Sequence, residues 1–367
     1  MTRSTPAEDQ HVYHRTSSMI PTTHPLPANP FIPSSSNHDA YRICLNLEER
    51  AGRTNLHPPS LSFRQLAARF LGYLILEAPT SEGREYLVES IRESGDDEPS
   101  LVKLALEYMR HIARCFHFED QTLFSAPSTP EGSEPHAFGT TEDCLRCSLD
   151  SAHADETTLR HLALIRDEYR CVLTGIYDMD SFLKREDVRE MVQDHPRPDP
   201  GVARTTATKI ISYQPNPTVA EENILSFLAC FGGIDLAPRN QNPKAQGLEN
   251  LVTMSLDKHY MFQALSIWLE STETPHRYKL GAIHPLFLRN LPEYVTLSSS
   301  HPAELPLPSP AYLNFHAACA RATHLSGARK FLTDTVGRIE RALDAPNELL
   351  PAQLLDVVLA TLGSVAS

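Results

Sequence analysis

Several groups of side chains in this 367-residue chain have the types and spacing that chemistry needs. Asn250 and His259 stand nine residues apart, flanking an apolar run of Leu251, Val252 and Met254. An imidazole can bind a metal or move a proton near neutral pH. An amide can orient a neighbour by hydrogen bonding without titrating. Cys144 and Cys147 form a C-x-x-C pair, but no second pair follows at zinc-finger spacing, so they read as two ordinary thiols rather than a metal clip. Asp178, Asp180, Glu186, Asp187, Glu190, Asp194 and His195 place a supply of oxygen and nitrogen ligands between Gly175 and Lys209. His316 and His324, eight residues apart on one helical pattern, read as packing residues.

The order of segments around these residues carries a likeness. Tyr169-Arg-Cys-Val-Leu-Thr-Gly175 reads as a strand ending in a tight turn. Thr208-Lys-Ile-Ile211 follows, then Gly247-Leu-Glu-Asn-Leu-Val-Thr-Met-Ser-Leu-Asp-Lys-His259. Beyond these come Ile267 to Lys279, Leu305-Pro-Leu-Pro-Ser-Pro310 and His316 to Gly327. This series resembles the HNH (ββα-metal) endonuclease family, and within it a subset found in fungi. The likeness covers about half of the chain, roughly Leu159 to Phe331, and leaves the amino-terminal part outside.

The resemblance implies a reaction. In the family the first histidine is general base on a water that attacks a phosphodiester. The last histidine and a nearby acidic or imidazole group hold a divalent metal, and the asparagine orients the base. Carried over position by position, Lys209 stands where the base stands, Asn250 where the orienting residue stands, and His259 at the last metal ligand. Lysine is protonated at neutral pH, so an ammonium replaces the base. Thr205, Thr206, Ala207 and Thr208 offer no second ligand, and Gln263 follows Phe262 where the family has an aspartate. The zinc-knuckle positions are altered too: Thr174 is paired with Cys171, and Ser255 and Lys258 fill the other two.

The elements that must position these residues follow from periodicity. Leu61, Leu66, Phe70 and Leu74 fall near helical spacing before Pro79. A second amphipathic stretch follows Ser81 and closes at Gly95, and Leu101, Leu104, Tyr108, Ile112 and Cys115 mark a long third. Asp155 is placed to cap a helix running toward Tyr169, and Ser255 or Asp257 to cap the helix bearing His259. The fold class is therefore α+β. A flexible tail is expected over residues 1–40, a helical lobe over 41–124 and a linker over 125–150. An HNH-like domain is expected over 159–281 and a helical carboxy-terminal region over 300–367. Six prolines between Pro6 and Pro33 support the tail, and three short helical patterns, starting near Ala311, Ala328 and Leu349, support the last region.

Charge bears on partners. The net charge is −13, and Arg166 to Lys279 alone holds 13 Lys and Arg against 16 Asp and Glu. Duplex binding draws affinity from cationic side chains that displace counterions, so strong nonspecific DNA binding is not expected. No apolar run reaches the ~20 residues of a membrane helix, and the opening residues lack a secretion-signal core, which predicts a place inside the cell, in nucleus or cytoplasm. The reading is an HNH nuclease-like protein with impaired catalysis and no bound cofactor, retaining a nucleic-acid- or protein-binding role. Two alternatives stay open. One is an active, divergent DNA endonuclease that holds Mg²⁺ or Zn²⁺ through His259 and a recruited group such as Asp194 or His195. The other is a purely structural interaction protein.

Overall fold

The computed structural model describes residues 23–53, 61–116, 140–150, 155–196, 200–213, 221–236 and 247–334. Its first helices are α1 (Ser36–Arg53), α2 (Phe63–Glu77), α3 (Ser81–Ser94) and α4 (Glu98–Cys115). Local side chains set their ends. Ser62 accepts from the Gln65 amide while the Gln65 side chain accepts from the Ser62 amide. Thr80 accepts from the Gly83 amide at 2.9 Å, and Asp97 from the Ser100 amide at 3.0 Å. α3 stops where Gly95 takes a φ of +58°, which a residue without Cβ adopts freely. The buried side chains include Leu66, Phe70 and Leu74 of α2 and Leu101, Tyr108, Ile112 and Cys115 of α4, the faces given by helical spacing.

The expected flexible tail over residues 1–40 is corrected from Thr23 onward; residues 1–22 lie outside the described residues. His24 N–H donates to the Leu325 carbonyl at 2.8 Å, and the Leu26 side chain is buried beside Gly72. A proline has no N–H but keeps its carbonyl as an acceptor. The Tyr73 and Tyr41 hydroxyls use this, donating to the Pro25 and Pro27 carbonyls at 2.8 and 3.0 Å. Composition suggested a tail; two tyrosines, one on α1 and one on α2, make it a strap. The expected linker over 125–150 is corrected in its second part, where Thr141–Asp150 forms α5 and buries Leu145; residues 125–139 lie outside the described residues.

Next come α6 (Glu156–Arg166), β1 (Tyr177–Asp178), α7 (Met179–Lys184), α8 (Glu186–Gln193), β2 (Val202–Ala203) and β3 (Thr205–Lys209). Asp155 caps α6 by accepting from the Thr158 amide at 2.7 Å. β1 and β2 pair in parallel. The segment Tyr169 to Gly175, expected as a strand, is a turn. Only Arg170 bridges to Tyr177, and the chain doubles back with Gly175 N–H donating to the Cys171 carbonyl at 2.8 Å. α9 (Glu221–Ser226) runs into a π-helical turn at Phe227–Phe231, where Phe227 stacks on Tyr108 and both Phe227 and Phe231 meet Phe315 edge-on.

β4 (Leu251–Ser255) pairs antiparallel with β3, and α10 (Leu256–Gln263) follows directly. β5 (Ile267–Ser271), β6 (Arg277–Ala282) and β7 (Tyr294–Thr296) form a three-stranded antiparallel sheet. α11 (Pro310–Ser326) lies where the first of three carboxy-terminal helices was expected, and residues 328–334 are helical as well. Later residues, including the third expected helix, fall outside the described residues. The class is α+β, with small sheets among many helices.

Alternation along β4 divides the apolar side chains. Val252 and Met254 join a large cluster that also holds Phe70 of α2, Ile112 of α4, Phe262 of α10, Trp268 of β5 and Phe315 of α11. Leu251 joins a smaller cluster with Leu145, Leu162, Ile165, Tyr177 and Val188. The amino-terminal helices thus share a core with the strands. A buried ion-pair group crosses the same seam. Arg321 of α11 donates to Glu77 of α2 at 2.6 Å and to Glu270 of β5 at 2.8 Å, and Trp268 Nε1 donates to Glu270 at 2.8 Å.

Candidate functional site

The β3–β4 ladder ends with Lys209 opposite Leu251, and Asn250 lies one residue before β4. Its backbone carbonyl accepts from Ile210 N–H at 2.9 Å. Its side chain then extends the ladder. Oδ1 accepts from Ile211 N–H at 2.9 Å, and Nδ2 donates to the Ile211 carbonyl at 2.9 Å. Asn250 is itself held by its neighbours. Arg166, fully buried at the end of α6, donates to the carbonyls of Leu248 at 2.9 Å and Leu251 at 2.8 Å, on either side of Asn250. The same guanidinium forms a two-bond pair with Asp167 at 2.8 and 2.9 Å.

His259 is half-buried in the first turn of α10. Its Nδ1 lies 3.0 Å from the hydroxyl of Thr208, a fully buried residue of β3. Its ring meets Tyr260 edge-on at 5.2 Å. Ser255 takes the cap position before α10, yet its hydroxyl donates to Asp257 at 2.7 Å instead of capping an amide. Burial raises the Asp257 carboxyl, but the Ser255 hydroxyl and neighbouring Lys258 outweigh it and hold the group below the ordinary range.

Lys209 does not join Asn250 and His259 in one site. Successive side chains leave a strand on opposite faces. Thr208 meets α10, whereas Lys209 is directed toward α6, where its ammonium lies 3.3 Å from Glu156. Arg160 of α6 covers the same side and donates to the Thr205 carbonyl at 3.2 Å. The three residues picked out by family position are neighbours along the hairpin without converging on one point.

Gln263, which spacing did not single out as a support, holds this region, and two buried histidines of α11 hold its far end. Gln263 Nε2 donates to the Lys209 carbonyl, and Gln263 Oε1 accepts from Ser212 at 2.9 Å. His316 and His324, buried in α11, grip the far end of α10. His316 Nε2 meets the Phe262 carbonyl at 2.9 Å, with its ring stacked on Phe262 at 3.7 Å, and His324 Nε2 meets the Leu265 carbonyl at 2.8 Å. Burial pushes both imidazoles down to about 3, so each ring is neutral and donates from Nε2. Their Nδ1 atoms are buried without a hydrogen-bond partner.

Asp194 and His195 sit elsewhere. They line an open pocket of about 500 Å³ with Tyr169, Tyr177, Arg170 and His301, and His195 packs edge-on against Tyr177 at 5.7 Å. Neither Lys209, Asn250 nor His259 lines that pocket. Among the described residues, no three His, Cys, Asp or Glu side chains gather as a metal-ligand group, and no helix is long and apolar enough to cross a membrane. No protein-family model, no curated protein and no solved structure matches this chain.

Proposed function

We propose that β3, β4 and α10 form an HNH-like ββα unit that serves as a binding scaffold and has lost efficient phosphodiester hydrolysis. The observation that carries this reading is the contact of His259 with Thr208. A histidine presented from the first turn of α10 reaches back to the strand, and there its Nδ1 meets the Thr208 hydroxyl. A hydroxyl and an imidazole satisfy each other directly, whereas a divalent cation needs more and harder donors. Lys209 supports the same reading from the opposite face, paired with Glu156 and directed away from His259. Asn250 supports it as well, since both ends of its amide are spent on Ile211. With a net charge of −13, a protein partner suits the chain better than duplex DNA, which it binds weakly if at all.

Supercoiled-plasmid nicking with the purified chain, in the presence of Mg²⁺, Mn²⁺ or Zn²⁺, tests the catalytic half of the proposal. The expected outcome is no cleavage above the rate of the His259→Ala variant. Cleavage that His259→Ala abolishes overturns it. Metal-free DNA binding measured at two salt concentrations tests the partner: tight, steeply salt-dependent binding contradicts the preference for protein.

A further inference from the structure

The C-x-x-C pair lies in surroundings that its spacing alone does not reveal. Cys144 is half-buried in the first turn of α5, and Cys147 is exposed one turn later on the same helix. The Arg185 guanidinium, from the junction of α7 and α8, donates through Nη1 to the Cys144 sulfur at 2.7 Å. Arg185 is only 8 % exposed, and its Nε is buried with no hydrogen-bond partner. Its place is fixed by three further contacts: Asp187 at 2.6 Å, the Thr141 hydroxyl at 3.3 Å, and the Tyr169 ring beneath it at 5.3 Å. Asp187 is shared, because it also accepts from the Thr141 amide at the start of α5 at 2.8 Å. A cysteine with a fixed cation at its sulfur and a second thiol one turn away has the parts of a peroxide-reactive dithiol.

We propose that Cys144 and Cys147 are a redox pair, in which Cys144 is oxidised by a hydroperoxide and Cys147 resolves it to an intrahelical disulfide. In the first step a sulfur lone pair of Cys144 attacks the terminal peroxide oxygen. The O–O bond breaks, and the leaving oxygen takes the thiol proton and departs as an alcohol, or as water from hydrogen peroxide. Arg185 stabilises the negative charge that builds on sulfur as this proton leaves. In the second step the Cys147 sulfur attacks the sulfenic sulfur of Cys144, the S–O bond breaks, and water departs with the Cys147 proton. The dithiol loses two electrons and two protons, and the peroxide gains them. Cβ atoms three residues apart on a helix lie ~5–6 Å from each other, and a disulfide needs ~3.8 Å. The ten-residue α5 therefore has to tighten locally, and the Cys144 sulfur withdraws from Arg185.

Cys230 is exposed and serves as a control for exposure alone, while Cys44, Cys115, Cys171 and Cys319 are buried. The experiment treats the reduced full chain with equimolar hydrogen peroxide, quenches with an alkylating agent, and locates each cysteine by peptide mass spectrometry. The expected result is a Cys144–Cys147 disulfide formed while Cys230 remains alkylatable. In Cys147→Ser, a 1,3-diketone probe should capture a sulfenic acid at Cys144. In Arg185→Gln, Cys144 oxidation should slow ~10-fold. Equal oxidation of Cys230 and Cys144 in the unsubstituted chain overturns the proposal, as does preferential disulfide formation between chains. An unchanged rate in a folded Arg185→Gln variant overturns it too. If that variant does not fold, the comparison with Cys230 decides alone.

Discussion

The side-chain amide of Asn250 and the backbone of Ile211 form a closed two-bond ring, with both contacts at 2.9 Å. Asn250 thus supplies one more rung to the β3–β4 ladder after Lys209 and Leu251. Ile211 is 2 % exposed, so water cannot replace the lost partners. Leaving a buried amide group unsatisfied costs ~1–3 kcal/mol. Asn250→Ala is therefore expected to destabilise the chain by about 2–4 kcal/mol. His259, half-buried and set against a hydroxyl, should cost less than ~1 kcal/mol as His259→Ala. Urea unfolding of both variants checks the order; a larger loss in His259→Ala contradicts it.

The two histidines of α11 should make stability depend on pH. An unfolded histidine titrates near 6.5, whereas His316 and His324 are held at about 3. Below pH 6.5 the unfolded chain takes up protons that the folded chain refuses, so stability falls as pH falls, and no further loss from these groups follows below about 3. Each fully shifted group contributes a slope of ~1.4 kcal/mol per pH unit inside that window. Carboxylates add their own slope at lower pH, which makes pH 5–6.5 the informative range. Urea midpoints in that range should drop steeply, and a His316→Gln, His324→Gln double variant should flatten the slope. Equal slopes in the two proteins contradict this account.

Arg321 carries a second stability test. It is 6 % exposed and joins Glu77, itself 3 % exposed, to Glu270. Removing one member of a buried charged group leaves the others unpaired, at ~3–5 kcal/mol. Arg321→Ala should therefore cost about that much, and Arg321→Lys should recover only part because one ammonium cannot span both carboxylates in the same fork geometry. Adding Glu77→Gln to Arg321→Ala should restore stability by relieving one orphaned carboxylate. Strict additivity of the two changes in thermal melts contradicts the coupling.

Local patterning made much of this fold legible. Helical spacing located α2, α3, α4 and the start of α11, and Asp155 announced the cap of α6. The apolar run after Asn250 marked β4. What it could not show is pairing between distant segments. The strap from Thr23 is held by Tyr41 and Tyr73, and its prolines looked like a tail because composition does not report who donates to their carbonyls. Arg166 binds carbonyls 82 and 85 residues away, and nothing beside Arg166 in the chain distinguishes it from a solvated arginine. At the candidate site, spacing found Asn250 and His259, while Gln263 stood out only as a missing aspartate and is in fact a support for Lys209. Thr208 was passed over because a threonine offers no titratable group, although strand alternation places it, and not Lys209, against His259.

That alternation yields a test of which substitution can build a metal site. The Thr208 hydroxyl already lies 3.0 Å from His259 Nδ1, so Thr208→Asp puts a carboxylate oxygen beside the imidazole, and a divalent ion can draw on both. Lys209→His puts its imidazole on the α6 side, next to Glu156, where it cannot share an ion with His259. Without metal, Thr208→Asp should lower stability, because Thr208 is fully buried and an ionised carboxylate there loses its hydration. With Zn²⁺ or Mn²⁺ at ~100 times the dissociation constant, binding should return ~2.7 kcal/mol. The expected pattern in thermal melts is a metal-induced rise in Thr208→Asp, its loss when His259→Ala is added, and no rise in Lys209→His. A rise in Lys209→His that His259→Ala removes would mean that Lys209 and His259 do face one another, and the division of β3 into an α6 face and an α10 face would have to be abandoned.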